Sequence, residues 1–335
     1  MTLVNSVLAG ERLALARLLT QVENDTPEGR MALDELFPHT GEAHLIGVTG
    51  APGTGKSSLV NQLVLHYRKQ NGQRIAVVAV DPSSPFTGGA ILGDRVRMRD
   101  LAGDPDVFIR SMASRGSLGG LAQTTAALVQ VFDAAGFDTI LIETVGAGQA
   151  EVDIARLAHT TLVIEAPGLG DDIQAIKAGL LEIADILVVN KADRPGVENT
   201  ERALRSMLEL AHPVQHVFRH HGQVMTAPAW ETKKGSAPLW IPPIQRTVAT
   251  EGTGVPELAE AITRHAEHLR QSGGWGLRER ARLQSELDTL IQETLVSEFR
   301  ARIPETRYAE VLGQVIQRKV SPWEAIKVLL NGRQE

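Results

Sequence analysis

Residues 50–57 read Gly50-Ala51-Pro52-Gly53-Thr54-Gly55-Lys56-Ser57, a match to the pattern G-x-x-x-x-G-K-[ST]. An apolar run at 45–48 precedes this loop and a helical stretch at 57–69 follows it. That strand–loop–helix setting is what the pattern needs to act as a phosphate cradle. Glycines let successive backbone N–H groups curl around phosphate oxygens without Cβ clashes, and the start of the helix adds positive partial charge. In such a loop the ammonium of Lys56 meets the β and γ phosphates and the hydroxyl of Ser57 faces Mg2+, with Ser58 next in line.

The rest of the chain agrees with that setting. Short apolar runs recur at 75–80, 107–109, 139–142, 161–164 and 186–189. Continuous rather than alternating apolarity marks strands buried on both faces, and their alternation with helices predicts an α/β fold with a mostly parallel central sheet. Crossover helices are expected over 57–69, 118–135, 150–158, 173–181, 198–210 and 256–270. Residues 1–40 read as an N-terminal helical arm, with Leu8, Leu13, Leu15, Leu18, Leu19 and Val22 at helical spacing and a second segment over 27–37. The stretch 213–247, rich in Pro and His, reads as irregular, with a last strand near 244–248. After Gly273-Gly274, residues 277–302 read as a long amphipathic helix with Leu283, Leu287, Leu290, Ile291 and Leu295 on one side. Pro304 stops it, and Ser321-Pro322 starts another helix through Leu330. Three domains follow: the arm 1–40, a nucleotide domain 41–272 and a C-terminal helical arm 273–335. The stripe of that last arm is covered either by its own domain or by a second copy of the chain.

Composition removes several classes of function. In 335 residues, 34 Lys+Arg stand against 40 Asp+Glu, a net charge of −6, and no basic run appears. This argues against a dedicated nucleic-acid binder. Cysteine is absent, which excludes disulfides, thiolate zinc sites and cysteine nucleophiles and points to a reducing, cytoplasmic location. No stretch approaches the ~18 consecutive apolar residues of a membrane span, so the chain is expected to be soluble, unsecreted and without a membrane partner.

Asn190-Lys191-Ala192-Asp193 follows the run at 186–189 and resembles the N-K-x-D guanine motif of GTPases. A carboxylate at Asp193 can accept from both guanine N1–H and N2–H2, whereas adenine offers no matching donor pair. Glu143-Thr144-Val145-Gly146 stands where GTPases carry D-x-x-G, with Glu replacing Asp. The Glu143 carboxylate can hold Mg2+ or its water, and the Gly146 N–H can approach the γ-phosphate. Asp81, at a strand end, and Asp94, in a glycine-rich loop, are further candidates for the Mg2+ shell. Ala147 follows Gly146, where many GTPases place a water-orienting glutamine, so slow intrinsic hydrolysis is expected; Gln149 is a possible substitute.

Taken with Asp81-Pro82-Ser83-Ser84, Gly88-Gly89-Ala90-Ile91-Leu92-Gly93-Asp94, Arg115-Gly116-Ser117-Leu118-Gly119-Gly120 and Pro167-Gly168-Leu169-Gly170-Asp171-Asp172-Ile173-Gln174, these motifs resemble the MeaB/ArgK-like P-loop GTPases. The resemblance implies a SIMIBI-type GTPase fold with helical extensions, and a homodimer through the C-terminal arm. It implies a GTP-hydrolysing chaperone, binding GTP/GDP and Mg2+, that gates cofactor loading of an adenosylcobalamin-dependent acyl-CoA mutase and protects or reactivates it. Carried over residue by residue, Lys56 holds the phosphates. Ser57, Asp94 and Glu143 surround Mg2+ with Asp81 nearby. Asn190, Lys191 and Asp193 read guanine, and Ala249 in Thr247-Val248-Ala249-Thr250 contacts the base. Residues 167–177 correspond to an additional switch, with Asp171 and the mobile charge of Lys177.

Two other classes stay open. Related metallochaperone GTPases load nickel or zinc, and His212, His216 and His220 are spaced four apart with His221 beside them. Pro213 prevents one continuous helix from presenting all of them, and no thiolate is available. A protein kinase acting on a transport component is the other, although no H-R-D catalytic loop occurs.

Overall fold

The computed structural model describes residues 2–81, 101, 103–113, 120–144, 155–168, 183–211, 217–220, 223–226 and 239–331. The described chain divides into two compact units, Met1–Arg282 and Leu283–Glu335.

The first unit opens with α1 (Leu3–Leu8), α2 (Arg12–Glu23) and α3 (Pro27–Leu36). The break between α1 and α2 falls at Gly10, in the left-handed region at φ +81°. Then come β1 (His44–Thr49), α4 (Lys56–Asn71), β2 (Ile75–Asp81), β3 (Val107–Ala113), α5 (Gly120–Ala134), β4 (Thr139–Glu143), β5 (Thr160–Glu165), β6 (Ile186–Asn190) and α6 (Val197–Ala211). A hairpin, β7 (Val217–His220) and β8 (Gln223–Thr226), precedes β9 (Ile244–Thr247) and α7 (Val255–Ser272). Seven strands form one parallel sheet in the order β3-β2-β4-β1-β5-β6-β9.

Alternate side chains of each strand enter two different apolar layers, which is why the runs are unbroken in the sequence. Leu45, Val78, Val80, Ile140 and Ile142 face a core completed by α1–α3 and by Leu128, Val131 and Phe132 of α5. Ile46, Val48, Val77, Leu141, Leu162 and Ile164 face the other core, completed by Leu59, Leu63, Leu258 and Ile262 of α4 and α7. The N-terminal helices are thus one of the covering layers of the sheet. Their attachment is polar as well as apolar. The Asp133 carboxylate accepts from the N–H groups of Gly41 (2.7 Å), Ala43 (3.0 Å) and Glu42 (3.2 Å), and Arg12 donates to Val107 O at 2.8 Å while lying over the Phe108 ring.

The hairpin corrects the irregular reading of 213–247. Its strands are four residues each, too short for alternation to show. The helices expected over 150–158 and 173–181 lie largely or wholly outside the described residues. Beyond α7 runs α8 (Gly274–Arg302), followed by α9 (Glu305–Ile316) and α10 (Pro322–Asn331). Pro304 ends α8 as expected but also serves as the N-cap residue of α9, a helix absent from the sequence reading. In the second unit Val311 and Ala325 are buried, while Leu287, Leu295, Tyr308, Ile316 and Trp323 are exposed. Among the described residues no helix is long and apolar enough to cross a membrane.

The first nine residues of α8 are tied to the N-terminal ends of the strands. Arg278 grips Asp185, just before β6, through two bonds of 2.7 Å and also donates to His159 O at 2.7 Å. His265 of α7 adds a contact of 3.3 Å to Asp185, which accepts from Thr161 N at 2.8 Å. The Thr160 hydroxyl meets His265 Nδ1 at 2.9 Å and His44 Nε2 at 2.8 Å. Trp275 stacks on His159 at 3.9 Å, and Glu279 bonds both His159 and Arg282. Burial holds His44 in its neutral form, with its pKa lowered to about 3, and lowers that of His159 in the same way. Burial pushes the Glu279 carboxyl up, but hydrogen bonds from His159 and Arg282 outweigh it and bring the pKa down to about 2.

Candidate functional site

The opposite ends of the strands carry the phosphate loop. β1 ends at Thr49; Gly50 has φ +138°, and a Cβ built there would stand 2.1 Å from Ile164 O on β5. Only glycine fits so close to the neighbouring backbone. Gly55, at φ +94°, is the N-cap residue of α4, and a Cβ on it would meet Asn190 Nδ2 at 2.5 Å. The N-cap glycine brings no capping side chain, and the amides of a helix's first turn point out of its start, where an anion can sit. Thr54 steadies the curl by donating to Ala51 O at 2.9 Å.

Lys56 is buried, and its ammonium donates to Gly50 O at 2.8 Å and Ala51 O at 3.1 Å. The ammonium thus lies across the mouth of the loop. Ser57 donates from Oγ to Glu143 Oε1 at 2.6 Å, both side chains being buried. β4 and β1 are neighbours with Val48 opposite Glu143, which brings the acid beside the helix start. A hydroxyl and a carboxylate are hard oxygen donors suited to Mg2+.

The guanine-type motif ends β6. Asn190 Nδ2 donates to Thr54 O at 2.8 Å, while Oδ1 accepts from Thr247 Oγ1 and Ala249 N, each at 3.1 Å. Lys191, at φ +57°, donates from Nζ to Gly53 O at 2.5 Å. Asp193 is exposed beyond them. The structure therefore brings together the phosphate loop, Asn190, Lys191 and Ala249, with Asn190 bracing three segments. Thr247 is a member of this brace that motif reading passed over. Its signal lies in register, since it is the β9 partner of Asn190.

Asp81 ends β2, but its side chain is outside what is described. Asp94, Gly146, Gln149, Asp171 and Lys177 lie outside the described residues, as do His212, His216 and His221. His220 ends strand β7, and among the described residues no group of three or more His, Asp or Glu side chains could hold a metal ion.

A parallel sheet with a glycine cradle after one strand, Lys-Ser opening the next helix and an acid on the adjacent strand defines a P-loop nucleoside triphosphatase. The chain matches the family described as methylmalonyl Co-A mutase-associated GTPase MeaB over residues 15–303, and it belongs to that family of GTPases. A relative from Pyrococcus abyssi is 43% identical, covering 98% of this chain and 95% of the relative. The GTPase ArgK of Escherichia coli (strain K12) is 40% identical, covering 73% of this chain and 75% of its own. The crystal structure of an LAO/AO transport system kinase covers 99% of this chain and 97% of its own, with a TM-score of 0.69 and 28% identity.

Proposed function

We propose that this GTPase is a Mg2+-dependent chaperone of an adenosylcobalamin-dependent acyl-CoA mutase, gating cofactor loading and protecting or reactivating the mutase. The observation that carries the reading is the family match over residues 15–303, whose description names association with methylmalonyl-CoA mutase. In this reading the α4 amides and Lys56 take the triphosphate, the ammonium exchanging its carbonyl partners for β and γ oxygens. Ser57 and Glu143, with Asp81 and Asp94, would hold Mg2+, which when bound would supply positive charge beside the phosphates. Asp193 accepts from guanine N1–H and N2–H2, with Lys191, Asn190 and Ala249 shaping the base site. Gly146 N–H approaches the γ-phosphate. With Ala147 after it, hydrolysis to GDP and phosphate is slow until the mutase binds, and Gln149 orients the water. Asp171 and Lys177 belong to the segment that signals to the mutase. The exposed apolar residues of the C-terminal helices pair with a second copy, and the protein works in the cytoplasm.

The test is GTP turnover with and without a cognate cobalamin-dependent mutase. A rise in rate with the mutase, with GTP preferred over ATP, is the expected result; an unchanged rate overturns the reading. Labelled γ-phosphate should appear as free ion. Transfer to a protein acceptor would support the kinase reading instead, and stoichiometric Ni2+ or Zn2+ binding that changes turnover would support metal loading.

A further inference from the structure

In the reading proposed above, the phosphate loop and Glu143 serve one Mg2+ ion, and the two follow adjacent strands, β1 and β4. Just after the end of β4, Thr144 N donates to Val48 O of β1 at 3.1 Å. One residue further, the hydroxyls of Thr144 and Thr49 meet at 3.2 Å. Thr49 immediately precedes Gly50 of the phosphate loop, and Thr144 immediately follows Glu143. These two side chains are 0% and 1% exposed. Valine has the same shape as threonine without the hydroxyl, and a buried hydroxyl is unfavourable unless bonded. Two facing threonines are therefore a poor way merely to fill space at this spot. Glutamate also has one more torsion than the aspartate common in D-x-x-G, so the place its carboxylate reaches depends more on a fixed backbone.

We propose that the Thr49–Thr144 hydroxyl pair is a positioning device for GTP hydrolysis. It fixes the path of residues 143–144 against 49–50, so that Glu143 reaches Ser57, and it acts on turnover rather than on nucleotide affinity. The inference rests on the Mg2+ role proposed above for Ser57 and Glu143.

Full-length Thr49→Val, Thr144→Val, the double variant and Thr144→Ser would be compared for kcat, KM for GTP, the Mg2+ concentration giving half-maximal turnover, and melting temperature. Each valine variant should lower kcat roughly fivefold, the loss expected from one hydrogen bond. Its half-saturating Mg2+ concentration should rise while KM stays within about twofold. The double variant should be no slower than the slower single, because the hydroxyls work only as a pair, and Thr144→Ser should keep wild-type kcat. The idea is overturned if the valine variants leave kcat and Mg2+ dependence unchanged, if their losses multiply in the double variant, or if serine fails to rescue. Glu143→Gln separates the two levels. If that variant turns over normally, the Mg2+ reading fails and takes this inference with it. If Glu143→Gln is slow while the threonine variants are silent, only this inference fails.

Discussion

The two ends of the parallel sheet are built from different materials. Beyond the C-terminal ends of β1 and β6, the chain offers glycines, backbone carbonyls and ammonium groups that hold those carbonyls: Lys56 on Gly50 and Ala51, Lys191 on Gly53. At the N-terminal ends of β1, β5 and β6, charged and aromatic side chains satisfy one another. There Asp185 alone takes bonds from Arg278 and Thr161 and a contact from His265. A lysine on a carbonyl can exchange that partner for a phosphate at modest cost, whereas a carboxylate held by a guanidinium and a buried imidazole has nothing better to bind. One end is made to be occupied and the other to stay as it is.

Substitutions can break that contrast. The largest effect is expected from Lys56→Ala, which should reduce GTP turnover by at least ~100-fold while a melting curve shows the fold retained. A large fall in melting temperature would mean that the ammonium is structural, like the groups at the other end. On the proposed reading, Asp193→Asn exchanges one of the two acceptor oxygens that face guanine for an NH2 donor, and should weaken GTP binding by roughly 10- to 100-fold. Because Asp193 is exposed, stability should not change, and nucleotide titration against GTP and ATP checks both points. Asp185→Ala should do the reverse. It leaves His265 and Arg278 facing an uncompensated gap, and a loss of about 3 kcal/mol is expected, the lower end of the range because the Arg278 side chain is 35% exposed. Urea unfolding measures this, and KM for GTP should be unaltered in the folded protein.

The smallest and most gradual effect is that of pH. His44 is neutral in the fold, with its pKa near 3 against 6.5 for the free side chain. The unfolded chain therefore binds the proton first, and stability falls as pH drops below about 6.5, continuing toward 3. His159 shifts in the same direction. The ionised Glu279, at about 2 against 4.5, adds stability above 4.5 that is lost as pH falls toward 2. Melting temperature between pH 8 and 4.5 should decline with a bend near 6.5. His44→Gln should flatten that bend, and an unchanged profile would remove His44 from the account.

Much of this architecture was legible because its signals are local. The strand–loop–helix around Gly50 and the unbroken apolar runs are each readable within a few residues, and the parallel sheet follows from their order. The acid at Glu143 was placed beside the loop by its position at a strand end. What stayed hidden depends on register between distant segments. Thr49 and Thr144 are 95 positions apart and meet only because β1 and β4 pair as they do. The histidines at 44, 159 and 265 come from β1, the connection before β5 and α7, with no shared period. The Asn190 amide was expected at the base, and its brace to Thr54, Thr247 and Ala249 became visible only with β9 paired to β6. The helix after Pro304 was missed because a residue that ends one helix also begins the next.

The stack of Trp275 on His159 has an optical consequence. Trp275 and Trp240 are two of the chain's four tryptophans. Both stand among imidazoles, Trp240 with its ring centroid 4.8 Å from that of His265. The native emission of these indoles is thus a built-in reporter of the N-terminal strand ends and of the root of α8, and it records without any added dye whether that anchorage shifts when nucleotide arrives at the far end of the same strands.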